Sequence, residues 1–118
     1  MESIAQNKSY AFALETIKIY KKLVGEKKEY VLSKQLLRSG TSIGAMLRES
    51  KFAQSTLDFI SKLSIGLKEA NESLYWIDLL HDSDFINDED YNLLHKNCNE
   101  LISLLVASIK TLKDSMNK

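Results

Sequence analysis

The chain has 118 residues, enough for one domain with a real core, and it contains no proline, four glycines and one cysteine. That composition argues for a few long helices over many short strands joined by tight turns, and Cys98 alone excludes an intramolecular disulfide. Sixteen basic and sixteen acidic residues cancel, which removes the global field that draws basic proteins onto nucleic acid or anionic lipid.

The charge is nevertheless unevenly placed. Residues 1–68 hold twelve Lys/Arg against six Asp/Glu, and residues 69–118 hold four against ten. Pairing of front helices with back helices inside one molecule is the simpler expectation, and head-to-tail association of subunits is the sharper one. The N-terminal stretch has no apolar run suited to a signal peptide, and no segment approaches the roughly 18 apolar residues of a membrane span, so a reducing cytoplasm is expected.

The first helix is expected over about 4–25. Tyr10, Ala13, Leu14, Ile17, Tyr20 and Val24 recur at spacings of three and four and read as its core stripe. Gly25 before "EKKE" reads as a left-handed helix end. The second helix, about 29–52, puts Leu32, Leu36, Gly40, Ile43 and Leu47 on one face with Leu37 and Gly44 on its flank. Glycine costs about 1 kcal/mol relative to alanine inside a helix, so Gly40 and Gly44 predict close approach of a neighbouring helix.

The third helix is expected over 56–82, with Ser55 as N-cap and Asp58 at the capping-box position. Its seam, Ile60, Leu63, Leu67, Ala70, Leu74 and Ile77, alternates steps of three and four, the spacing of helices packed nearly parallel or antiparallel. The turn-forming "HDSDFINDED" ends it, and Asn87 or Asp88 can cap a fourth helix over about 88–115. The stripe there is Tyr91, Leu94, Cys98, Leu101, Leu105, Ile109 and Leu112, widened by Ile102 and Val106. Short connections between four helices of this length predict a single all-α domain over 1–118, an antiparallel up-down-up-down four-helix bundle.

Two helices carry more apolar surface than one bundle needs. Phe12, Ile19 and Leu23 form a second row on the first helix, and Ile65, Trp76 and Leu79 lie off the seam of the third, so these six residues are candidates for an oligomer interface. Lys18, Lys21, Lys22, Lys27 and Lys28, followed by Lys34, are the candidates for phosphate contacts, against the plainer expectation of a solvated face.

Catalytic signatures are absent: there is no phosphate loop, CxxC, HExxH, E-x-x-H or nucleophile elbow. His81 falls on the core stripe near the end of the third helix, His95 flanks the fourth stripe, and neither has a partner at metal-ligand spacing. Cys98 reads as core filler. No enzyme, metal or cofactor is expected.

The segments "SKQLLRSGTSIGAMLRES", "AQSTLDFISKLSIGLKEANESLYWIDLL" and, more loosely, "KSYAFALETIKIYKKL" resemble the bacterial four-helix bundle proteins of the 23S rRNA intervening-sequence family, over about residues 8–82. The resemblance rests on R-S-x-x-S-I and E-S-L-Y-W occurring in order. It puts Arg38, Ser39, Ser42, Ile43, Ala45 and Glu49 on the family's second-helix signature and Glu72 on its third-helix glutamate, while Met46 departs from the family's usual asparagine. It implies a non-catalytic bundle that assembles into a homo-oligomeric ring, commonly a pentamer, and in a branch associated with a reverse transcriptase it implies binding of nucleic acid and the polymerase. Two functions therefore stand side by side: a ring-forming scaffold associated with RNA or DNA, and a protein-binding adaptor that touches no nucleic acid. On the polar stripe of the second helix, Arg38 or Arg48 could meet an acidic group such as Glu72 of the same chain or another.

Overall fold

A computed structural model describes residues 3–117. It contains four helices, α1 (Ile4–Gly25), α2 (Leu32–Ser50), α3 (Thr56–Asp82) and α4 (Asp88–Met116), and no strand among the described residues.

Each helix begins where a side chain can satisfy amides that have no partner within the helix. Ser3, Ser55 and Asn87 cap α1, α3 and α4 by accepting from the amides of Gln6, Asp58 and Asp90 at 3.0, 3.0 and 2.8 Å. The box at Ser55 is displaced by one residue, because the Asp58 carboxylate accepts from Gln54 N rather than from the cap residue. The start of α2 falls at Leu32 rather than 29, since the Glu29 carboxylate serves as the cap and accepts from the amides of Val31, Leu32 and Ser33 at 3.1, 3.0 and 2.6 Å. Gly25 ends α1 without turning left-handed, and the positive φ in this connection, 56°, belongs to Lys28.

Sequential helices pack side by side, and α4 closes against α1 along the sparsest of the four seams, with no close backbone approach across either diagonal. The register can be read from cross-helix pairs: Gln6 meets Leu47, Ser9 meets Gly44 and Thr16 meets Gly40. Ser39 meets Ser73, Ala70 meets Cys98, and Glu15 meets Asn97. The core between them is built from Leu36, Ile43 and Leu47 of α2, Ile60, Leu63, Ala70 and Ile77 of α3, and Leu94, Cys98, Leu101 and Leu105 of α4.

The core face of α1 is opposite to the expected one. Phe12 and Leu23 are 0% and 1% exposed, and Ile19 is also buried, so these three interface candidates belong to the core of the subunit itself. Tyr10 and Leu14, expected inside, are 60% and 53% exposed. The buried face contains Ser9 and Thr16, which made it look discontinuous in sequence. Both hydroxyls donate within the helix, Ser9 to Gln6 O at 2.9 Å and Thr16 to Phe12 O at 2.8 Å, so neither brings an unmet donor into the core.

Candidate functional site

The polar stripe of α2 lies along the outer edge of its packing with α3. Ser42 donates to Arg38 O at 2.6 Å. The Arg38 guanidinium stands 3.8 Å from Glu72 Oε1 of the same chain, and that oxygen also accepts from Trp76 Nε1 at 3.1 Å. Arg38, Glu72 and Trp76 thus form one surface unit across two helices, whereas Glu49 is exposed one turn beyond Ala45. Beneath it Ser39 and Ser73 share a buried hydroxyl contact of 2.9 Å, and α2 and α3 lie close because Gly66 faces Ile43 O and the Met46 side chain. Trp76 and Leu79 are half-buried, and Ile65 is exposed.

A second surface lies between α1 and α2. Ser9, Tyr10, Ala13, Ile17, Thr41, Gly44, Ala45, Arg48 and Lys51 are among the residues lining an open groove there. The small residues Ala13, Gly44 and Ala45 leave the room, Tyr10 borders it, and every charged group lining it is cationic. Apolar surface framed by charge of one sign is the kind of patch that a partner covers.

The candidate phosphate-binding lysines differ in their surroundings. Lys22 is tied to Asp90 at 3.1 Å, an ion pair that, with Asp90's hydrogen bond as the largest cause, raises the Lys22 pKa above its ordinary value. Lys27 shares a pocket with Asp82, Asp84 and Asp88, so carboxylates sit beside the basic loop at that pole. Lys18, Lys21 and Lys28 are exposed. The three Lys/Arg–carboxylate bridges seen, Lys8–Glu100, Lys22–Asp90 and Arg38–Glu72, each join a cation of the basic half to an anion of the acidic half, so part of the charge asymmetry is met inside the subunit.

His81 is not a core residue. Its Nε2 lies 2.7 Å from Asp88 Oδ1, its Nδ1 lies 3.2 Å from Asp82 Oδ1, and its ring stacks on Tyr91 with centroids 4.1 Å apart. Tyr91 donates to Asp78 at 2.9 Å, and His95 lies 5.2 Å from the Tyr91 ring. The four aspartates of "HDSDFINDED" carry the signal for this cluster, which the sequence offers only as a turn and a helix cap. Among the described residues no three His, Cys, Asp or Glu side chains are placed to hold a metal, and no helix is long and apolar enough to cross a membrane.

A sequence profile of the 23S rRNA-intervening sequence proteins matches residues 1–107. The chain belongs to that family. Within the structures of known proteins it is similar to the 1.70 Å crystal structure of a protein of unknown function from the S23 ribosomal protein family of Bacteroides thetaiotaomicron VPI-5482. The two are 50% identical, the match covers 91% of this chain and 99% of that one, and the TM-score is 0.90. No curated protein matches the chain. Of the residues that the resemblance singles out, Arg38 and Glu72 are brought together, Ser42 donates to Arg38 O, and Glu49 stands apart.

Proposed function

We infer that the chain is a non-enzymatic scaffold of the cytoplasm, an up-down-up-down bundle whose subunits associate into a homo-oligomeric ring. The observation that carries this reading is the apolar surface left outside the core: Tyr10 and Leu14 on α1 beside the α1–α2 groove, and Ile65 and Tyr75 on α3. Scattered apolar residues are ordinary on a surface, but a groove bordered by an exposed tyrosine is not well served by water. The cross-helix register supports the antiparallel order of neighbours. The pentamer implied by the family resemblance is the stoichiometry to test.

Light scattering on the chromatographed protein measures it directly. A uniform species several times the subunit mass is expected, and a monomer at micromolar concentration sinks the reading.

A second reading, association with RNA or DNA, draws on the exposed Lys18 and Lys21 and on Arg48 and Lys51 along the groove. Counterion release makes such binding fall steeply with salt. A titration of single- and double-stranded RNA at rising salt separates a nucleic-acid scaffold, which loses affinity in that way, from a protein-only adaptor, which has no measurable affinity even at low salt.

A further inference from the structure

We propose that His81 is a proton-operated clasp on the α3–α4 connection, closed when its imidazolium bridges Asp82 and Asp88 and loosened when the ring becomes neutral. The argument begins with the two ring nitrogens. Each faces a carboxylate oxygen, Nε2 toward Asp88 at 2.7 Å and Nδ1 toward Asp82 at 3.2 Å. A neutral imidazole has one N–H and one lone pair, so it satisfies one carboxylate and turns a lone pair on the other. Only the protonated ring donates to both.

The bridge spans the turn. Asp82 is the last residue of α3 and Asp88 the first of α4, so the contact closes a connection that is otherwise held by backbone donors, the buried Ile86 and the half-buried Phe85. The amides of Phe85 and Ile86 both reach Leu80 O, at 2.8 and 3.3 Å, Asp84 holds a left-handed φ of 66°, and Ile86 is buried. Tyr91 positions the ring by stacking and is itself anchored through Asp78.

Around the clasp carboxylates outnumber cations. From α3 come Asp78 and Asp82, from the turn Asp84, and from α4 Asp88, Tyr91 and His95. From α1 come Lys22, Glu26 and Lys27, which line the same pocket, with Lys22 engaged by Asp90. The hydrogen bond to Asp88, then that to Asp82, holds the His81 pKa above its ordinary 6.5 against the opposing effect of partial burial. A group whose pKa is raised by folding contributes stability that is complete below its unfolded value and is lost as pH rises through the raised folded value. The clasp therefore closes below the raised His81 pKa and opens as pH climbs through it.

Histidine-detected NMR of the intact protein across pH 5–9 tests this. The Phe85 and Ile86 amides should be protected from exchange on the order of two- to fivefold more strongly below the His81 midpoint than above it, the factor of an exposed ion pair. In H81Q that step should vanish, and D88N should lower the His81 midpoint more than D82N because its contact is shorter. A midpoint indifferent to D88N, or turn protection that ignores the His81 titration, would overturn the proposal; Asp82 and Asp88 lie at the surface, and the spectra themselves report folding.

Discussion

Thr16 on α1 occupies the space that a side chain at residue 40 of α2 would need. A methyl group on Gly40 would lie 2.7 Å from Thr16 Oγ1 and 2.8 Å from its Cγ2, and Thr16 is held by its hydrogen bond to Phe12 O and cannot easily turn aside. Gly40 is thus the glycine at which α1 and α2 come closest. Gly66 differs, with its nearest neighbours, Ile43 O and Met46 Cβ, at an ordinary 3.7 Å.

The two sites should respond to alanine with opposite signs. Overpacking a core costs about 1–3 kcal/mol, and alanine returns about 1 kcal/mol of helix propensity. Gly40→Ala should therefore lose about 1–2 kcal/mol, and Gly40→Leu considerably more, while Gly66→Ala should gain up to about 1 kcal/mol. Urea denaturation of the three variants measures this. Equal or inverted responses would mean that α1 does not sit as close to α2 as Thr16 requires.

The reversed face of α1 gives a second contrast. Phe12→Ala opens a cavity in the core and should cost about 3–5 kcal/mol of subunit stability. Leu14 is 53% exposed and outside the buried core, so Leu14→Ser should stay within about 0.5 kcal/mol in the unassembled subunit, while weakening association if the α1 surface is an interface. Thermal melts report the first effect and light scattering the second. A large stability loss in Leu14→Ser with little in Phe12→Ala would restore the face first read from sequence.

That reversal marks the boundary of what periodicity conveys. On α3 and α4 the main apolar stripe with steps of three and four marks the buried face, and Ala70, Ile77, Leu94, Cys98, Leu101 and Leu105 are buried accordingly, while Val106, expected to widen it, is exposed. On α1 two stripes compete, and the more continuous one is exposed at Tyr10 and Leu14 and only half-buried at Ala13, Ile17, Tyr20 and Val24. The buried one is interrupted by Ser9 and Thr16, whose hydroxyls are satisfied within the helix, so polarity on a list of residues misrepresents their cost in the core. The Arg38–Glu72 contact was legible as one of several alternatives because both residues carry the family signature. The His81 bridge was not, because it depends on how the chain folds back between residues 82 and 88.

Glu29 predicts a dependence on acid. Burial raises its pKa, but the amides of Ser33, Leu32 and Val31 donate to the carboxylate and together bring it below the ordinary 4.5. A carboxyl lowered by folding contributes stability above its unfolded value and loses it as pH falls through the folded one. Glu29→Ala should cost about 0.5–2 kcal/mol at neutral pH, as removal of a helix cap does. The gap between wild type and this variant should then shrink as pH falls below 4.5, which urea midpoints collected from pH 7 to pH 3 would reveal. A gap that stays constant over that range would remove Glu29 as an ionised cap.

Cys98 should be chemically silent while the bundle is folded. Its side chain is fully buried, its Sγ lies 3.2 Å from Ala70 O, and burial pushes the thiol up to about 12. Thiolate is the reactive form, so both access and ionisation oppose attack by a disulfide reagent. At pH 8 the native protein should be modified only as fast as the α3–α4 seam opens, whereas unfolding in urea should expose one equivalent of thiol at once. Rapid, complete modification under native conditions would mean that α4 leaves α3 far more readily than this packing allows. Repeating the measurement over a range of protein concentrations adds a second readout: if assembly stabilises the folded subunit, modification should slow as concentration rises.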